Sequence, residues 1–375
     1  MECEGMDALP EGVVRSILSQ LSNARDVAAC SGVSRCWRDC VPFLPALYFT
    51  RGAFDAAGGA ACAADDAIGR MVEAAARLQE LVIYCPFSAA HLPRWLATRS
   101  TSLRVLELRV DSVSAAASGG GSGHLDCIGL GRLHMLEIVG ASLDGLATSG
   151  AVAACPNLTD LALLGCESSG SVNFALPLLQ RCRLDFVGSG SSALMLAAPR
   201  VESLEVQGFS WIMLQGGDCL KRLIIAKNTG SVYSVGVDRL PVLEHLSLRG
   251  LQWSWGAVSY LLQCAAEVKH LLMKVEFCGD YDTLQPFPEV DLVEFFNTHP
   301  KLRKFEVHGA MFAALCQKNS LKNLDSRFSI SSLEEVLITV RSPLNAEQKL
   351  ITLESLLRYS PTVQGCVGWS SGSRR

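Results

Sequence analysis

The chain has no excess of charge of one sign. Its 33 Lys and Arg stand against 37 Asp and Glu, a formal net charge of −4. Without a basic excess there is no electrostatic footprint for nucleic acid or an anionic membrane. No apolar run approaches the roughly eighteen residues of a membrane span. The start, MECEGMD, lacks the apolar core of a signal peptide. The expected setting is nucleus or cytoplasm. The 15 cysteines include no CxxC pair, and the count is odd. Cys36 and Cys40 are four apart, but no His or second Cys pair lies nearby in sequence to complete a zinc site. Buried free thiols in a reducing compartment are expected instead of disulfides.

Signatures of catalysis are missing too. The seven His show no HExxH spacing, and no Ser sits in a GxSxG elbow. Gly119 to Gly123 is not followed by Lys-Ser/Thr, and Gly188-Ser189-Gly190 lacks the third Gly of a dinucleotide turn. No pair of carboxylates stands out as acid and base. No catalytic residue, metal or cofactor is expected.

The 375 residues are 49% hydrophobic and 19% charged, which suits a folded chain of two or three domains or one elongated repeat domain. The most specific stretch comes first, DALPEGVVRSILSQLSNARDVAACSGVSRCWRDC, Asp7 to Cys40. Leu9 and Pro10 enter a helix whose Val14, Ile17, Leu18 and Leu21 fall at helical spacing. Asn23 is placed to cap a second helix carrying Val27. Val33 and Ser34 open a third, with Ser34 as its cap and Trp37 on its inner side. Some forty residues can hardly bury all of this alone, so an apolar face with spare area should dock on something else.

The order of these residues resembles the F-box. Leu-Pro comes first, then Ile-Leu-Ser-x-Leu, then Asp26, then Val-Ser-Arg-x-Trp-Arg from Val33 to Arg38. Val27 departs from the pattern, since the family more often has a larger aliphatic residue there. The resemblance implies three helices that dock on a Skp-type adaptor, which hangs from a cullin scaffold carrying the ubiquitin-conjugating machinery. It also implies an adaptor-binding set of Leu9, Pro10, Val14, Ile17, Leu18, Leu21, Val27, Val33 and Trp37.

Residues 51–66, rich in Ala and Gly, read as a linker or loop before a helix over Ala67 to Arg77. Ser114 to Gly123 (SAAASGGGSG) reads as a flexible insertion. The second signal is an internal repeat. LxxLxL-type units begin at Leu78, Leu103, Leu133, Leu158, Val201, Leu220, Leu243, Val268, Leu302 and Leu333, with a weaker copy at Arg183 to Phe186. The spacing, about 19 to 34 residues, is near that of leucine-rich repeats. The last two apolar positions of each unit alternate with exposed ones, which is strand periodicity. One such strand cannot bury its side alone, but stacked neighbours can, in a parallel sheet.

Pro156, Pro199, Pro241 and Pro300 stand two residues before a unit, where each would end a preceding convex helix. Gly140, Gly165, Gly188, Gly208, Gly250 and Gly309 follow strands at a sharp turn. Leu143, Trp211, Trp253 and Phe312 follow three residues later as returning apolar anchors. The Asn or Cys expected after the strand in leucine-rich repeats occurs at Cys166 and Asn228 and almost nowhere else, so curvature should be uneven. Pro361 opens a truncated closing repeat after a helix from Ala346 to Tyr359.

The expected architecture is therefore an α/β repeat. A three-helix F-box over residues 1–50 precedes an irregular leucine-rich-repeat solenoid over 67–375, with a curved parallel sheet inside and helices outside. The exposed strand positions of the late units gather basic residues and His: Arg222, His245, Arg249, His270, Lys274, Lys304 and His308. These form the candidate surface for a protein target. His245, His270 and His308 are read as too far apart to share a metal. The combination resembles plant F-box proteins with C-terminal leucine-rich repeats. That resemblance implies a non-catalytic substrate receptor of a Skp–cullin–F-box ubiquitin ligase. The alternative is a repeat scaffold whose F-box engages no ligase.

Overall fold

The computed structural model describes residues 9–53, 61–87, 91–110, 130–187, 192–277, 289–318, 320–321, 328–339 and 346–363. The insertion expected at 114–123, most of the closing repeat at 361–375 and part of the 51–66 linker lie outside them. The chain divides into two compact units, the first ending near residue 187 and the second following it, with residues 180–182 assigned to the second.

In the first unit, α1 (Glu11–Gln20) begins directly after Pro10, with Glu11 in its first turn favouring the positive end of the helix dipole. Val14 and Leu18, four apart, turn inward. The cap expected at Asn23 is present: its side chain accepts a hydrogen bond from the Arg25 N–H at 3.0 Å and opens α2 (Ala24–Ser31). Ser34 holds the extended backbone of a cap before α3 (Arg35–Cys40), but its hydroxyl makes no capping bond. Trp37 and Cys40 face inward from α3, and a 3-10 turn follows over Val41–Phe43.

The chain then does what the sequence reading missed. Ala46–Phe49 is a strand, β1, hydrogen-bonded in parallel to β2 (Glu80–Ile83). The Tyr48 N–H also donates to the Ser22 carbonyl at 2.7 Å. The three helices are thus joined to the sheet by its first strand. The following helix, α4, starts earlier than expected, running over Ala61–Ala74. From β2 the unit adds β3 (Val105–Arg109), β4 (Met135–Val139) and β6 (Asp160–Ser169), each parallel and in register with the last, while β5 (Ser142–Asp144) pairs with β6. Helices α5 (Leu92–Arg99) and α6 (Gly145–Ala153) and strand β7 (Val172–Ala175) form the outer segments between them. β8 (Arg181–Phe186) is the weak copy foreseen from RLDF, and most of it belongs to this unit.

In the second unit β10 (Ser203–Gln207), β12 (Arg222–Lys227), β14 (His245–Trp253), β15 (His270–Phe277), β16 (Lys304–His308) and β17 (Glu335–Thr339) pair in parallel in that order. The first apolar residue of every LxxLxL unit in both halves is at most 1% exposed, from Leu78 through Leu333. That confirms the period as the organising signal of the core.

The outer layer departs from the expectation of helices. Between β8 and β14 it is built of strands: β9 (Ala193–Ala197), β11 (Trp211–Gln215) and β13 (Ser234–Val237) pair in parallel as a second sheet. Repeat length and local pattern decide this. Val201 and Leu220 are too close to hold two sheet turns and a stable helix, and WIMLQ alternates exposed and buried residues. Pro199 and Pro241 consequently follow strands, and Trp211 points outward at 41% exposure, whereas Leu143, Trp253 and Phe312 are buried as expected. Helices return with α7 (Trp255–Cys264), α8 (Leu292–Thr298), α9 (Gly309–Gln317) and α10 (Ala346–Tyr359).

The predicted ladder position also shifts. Cys166 is buried, but Asn228 is exposed, and Lys227 beside it is buried instead. Gly165 and Gly250 lie inside β6 and β14 rather than in a turn after a strand as expected, and at Gly250 the register with β15 becomes irregular. Gly250 has φ +144°, and a Cβ there would lie 2.5 Å from the Lys227 carbonyl oxygen.

Candidate interaction surfaces

The N-terminal helices offer the first surface. α1 has apolar residues on two faces. Val14 and Leu18 are 0% and 1% exposed, while Val13 and Ile17, one residue earlier in each pair, are 43% and 39% exposed. An i, i+4 pair shares a helix face, so each pair forms its own stripe. Val27 and Trp37 are buried with Val14 and Leu18. Pro10 and Val33 are exposed, and Leu9 and Leu21 are half-buried. The Arg15 guanidinium lies 3.4 Å from the centre of the Phe43 ring and is paired with Glu11, bracing α1 against the 3-10 turn.

Of the nine residues assigned to an adaptor contact, the structure therefore divides the set. Val14, Leu18, Val27 and Trp37 build the core under the surface. Pro10, Ile17 and Val33 are available to a partner, with Leu9 and Leu21 at the edge. Val13, which the sequence reading did not single out, is exposed beside Ile17, four residues away on the same face.

The exposed side of the sheet offers further surfaces, one in each unit. In the first unit Tyr48 donates to Glu80 at 2.9 Å and Tyr84 donates to Glu107 at 2.6 Å. The bond to Glu107, with burial, pushes the Tyr84 phenol up to about 12. Burial, then the facing Glu107 carboxylate, raises the pKa of Glu137, against the lowering effect of Arg183. This face is acidic and largely occupied with itself.

In the second unit the seven candidate target-binding residues fall into two register rows. Arg222, His245, His270 and Lys304 stand opposite one another on successive strands. Arg249 and Lys274 are direct register partners, and His308 lies one residue past the last paired position of β16 with β15. The residues are not equivalent. Lys304 pairs with Glu335 at 2.8 Å, and the His308 Nε2 lies 2.9 Å from a Glu306 carboxylate oxygen. Burial, then Arg222, His270 and Arg249, lowers His245 to about 4, so it adds no positive charge near neutral pH. Arg222, Arg249 and Lys274 are exposed and make no ion pair among the described residues. The rings of His245 and His270 are 6.1 Å apart, so these two are neighbours, contrary to the reading that the strands keep them apart. No group of three or more potential metal ligands occurs among the described residues.

Comparison with known proteins places the helical stretch. Residues 6–48 match the F-box-like family. The F-box protein At1g10780 of Arabidopsis thaliana is 48% identical over 379 aligned positions, which cover 95% of this chain and 90% of the relative. The chain belongs to the F-box protein family. The likeness extends well beyond the F-box itself, through the parallel sheet of both units. No helix among the described residues is long and apolar enough to cross a membrane.

Within the F-box, the match ends at residue 48, inside β1. The matched stretch therefore reaches into the strand that joins the helices to the sheet. The sequence landmarks Leu18 and Trp37 are both buried in this chain. The residues free to touch a partner are less diagnostic by type, because Val13, Ile17 and Val33 could equally be core residues.

Proposed function

We propose that this F-box protein is the substrate-recognition subunit of a Skp–cullin–F-box ubiquitin ligase. The N-terminal helices bind a Skp-type adaptor and, through it, a cullin. The strands that follow act as an irregular leucine-rich-repeat platform for a protein target. The observation that carries this reading is the stripe of exposed apolar side chains, Val13, Ile17 and Val33 with Pro10, beside a separately completed core of Val14, Leu18, Val27 and Trp37. A helical cap with no partner would have no need of the outer stripe. F-box domains in general bind adaptors of this kind, which sets the expected partner.

The mechanism is positioning. Ubiquitin transfer is carried out by other subunits, and this chain raises the effective concentration of target lysines near them. β1 contributes directly. Its backbone bonds reach Ser22 on one side and β2 on the other, so the adaptor-binding helices and the first strands of the sheet are held as one body in this unit. Residues 51–66, the expected linker, come after that connection in the chain. The nucleus and cytoplasm are the compartments this role requires.

The test is capture of the Skp-type adaptor and cullin from plant extract by wild-type protein and by an Ile17→Glu variant. A buried interfacial charge should abolish capture while thermal unfolding stays within a degree or two, since Ile17 is exposed. Capture at wild-type level by the variant would sink the assigned face. Failure of wild type to retain either protein would sink the ligase reading.

A further inference from the structure

At the C-terminal ends of β12, β14, β15 and β16 the second unit has a hollow of about 280 Å³. Its lining includes Asn228, Arg249, Gly250, Lys274, Glu276 and His308. The volume lies below the range of most small-molecule and cofactor sites, and suits one or two inserted side chains. Its charge is unbalanced. Three lysines near the strand starts of this unit are set against acids, Lys221 with Glu202 at 2.8 Å, Lys269 with Glu244 at 2.6 Å and Lys304 with Glu335 at 2.8 Å, while Arg222 stands without one among the described residues. Arg249 and Lys274 instead stand directly opposite each other on adjacent strands, both exposed and neither in an ion pair among the described residues. Like charges facing across strands destabilise a sheet. An anion between them would reverse that cost.

The other walls agree. Glu306 holds the His308 ring by its Nε2. Gly309, also in the lining, is the first residue of the nine-residue α9, so the positive end of that helix adds to the same potential. Glu276 is already engaged in an interaction of its own. Asn228, displaced from the core by Lys227, supplies an amide that can donate. A planar guanidinium beside an ammonium matches two carboxylate groups, the first held in a fork and the second by a point charge.

We propose that this hollow receives adjacent carboxylate side chains of an acidic segment in a partner polypeptide, with Arg249 and Lys274 as the residues that bind them. The proposal rests on the reading of the sheet as the target-binding platform and names the chemistry of what it takes. On that reading the acidic segment is part of the target.

The test uses the full chain without adaptor and a rhodamine-labelled hexapeptide, Gly-Asp-Glu-Asp-Glu-Gly, followed by fluorescence anisotropy. Its amide counterpart, Gly-Asn-Gln-Asn-Gln-Gly, is the reference. The acidic peptide should bind at least ten-fold tighter than the amide peptide and weaken with added salt. An Arg249→Gln/Lys274→Gln double variant should lose at least ten-fold in affinity with unchanged thermal unfolding. Lys301→Gln, on a lysine already paired with Glu267 outside the hollow, should bind as wild type does. Equal binding of the two peptides, full affinity in the double variant, or an equal loss in Lys301→Gln would each overturn the proposal. The same preparations are tested for adaptor capture. Peptide binding without adaptor capture sinks only the ligase reading, and adaptor capture without peptide selectivity sinks only the hollow.

Discussion

The Lys227 ammonium lies 2.7 Å from the Ser210 hydroxyl oxygen and donates to the Gly208 carbonyl at 2.9 Å, from a side chain that is 2% exposed. Burial lowers its pKa, so the two oxygens are what keep the ammonium in place. They belong to the turn that leads from β10 to β11, and the lysine reaches them from the end of β12. It ties the end of β12 to the turn between β10 and β11.

Lys227→Ala should therefore cost about 2–4 kcal/mol, since it opens a cavity and leaves buried oxygens without their donor. Asn228→Ala, on an exposed side chain, should stay within about 0.5 kcal/mol. Urea unfolding of the two variants checks the pair. The reverse order would restore the ladder position assigned from sequence.

The ladder shows where the sequence is legible and where it stops being so. The apolar period placed the strands because one buried residue per unit repeats from Leu78 to Leu333, and nothing but stacking can bury it. Asn23 was readable because a cap is set by its immediate neighbours. Lys227 was not, since a lysine is almost never found so deeply buried, and the choice between 227 and 228 depends on where the next repeat's turn presents its oxygens. β1 was missed because four residues, ALYF, directly after the helices carry too short a pattern. The outer strands were missed because a helix was assumed by analogy, although WIMLQ carries the two-residue alternation. In the F-box the motif was plain, but Val13, Val14, Ile17 and Leu18 are all aliphatic. Which pair faces inward is fixed by α3 and the 3-10 turn packed against α1.

That assignment has its own consequence. Leu18→Ala should cost about 2–5 kcal/mol in stability, because it empties a site in the helical core. Ile17→Ala should cost less than about 1 kcal/mol and weaken adaptor binding by about ten-fold or more. Thermal unfolding and adaptor affinity, measured on both variants, separate the inner stripe from the outer one. If Ile17→Ala unfolds the protein and Leu18→Ala does not, the helix is rotated from the orientation described.

Two glycines should respond in opposite directions. At Gly250 the backbone has φ +144°, and an added Cβ would meet the Lys227 carbonyl oxygen at 2.5 Å and the Trp253 indole nitrogen at 2.9 Å. Gly250→Ala should destabilise by about 2 kcal/mol or more, from strain and from displacement of a strand that carries Lys227. Gly12 lies in the first turn of α1 with open space around it. Gly12→Ala should stabilise by up to about 1 kcal/mol through helix propensity alone. Chemical denaturation reads both, and a gain in stability from Gly250→Ala would contradict the backbone geometry at this irregular point of β14.

The pH dependence follows from His245. Its pKa falls from 6.5 to about 4, first through burial and then through Arg222, His270 and Arg249. Above pH 6.5 the ring is neutral both folded and unfolded, and it contributes nothing to the slope. Between pH 6.5 and about 4 the unfolded chain takes up a proton that the folded chain refuses, so stability is lost as pH falls. The full shift would correspond to about 3 kcal/mol, and partial exposure of the ring reduces this to about 1–2 kcal/mol. Urea unfolding at pH 7.5 and pH 5 should show wild type losing on the order of 1 kcal/mol more than His245→Gln over that interval. An identical pH response in the two proteins would mean that the ring is not held neutral. An anion bound between Arg249 and Lys274 would reduce the repulsion on His245, so adding the acidic hexapeptide should shrink the wild-type loss and leave the variant unchanged.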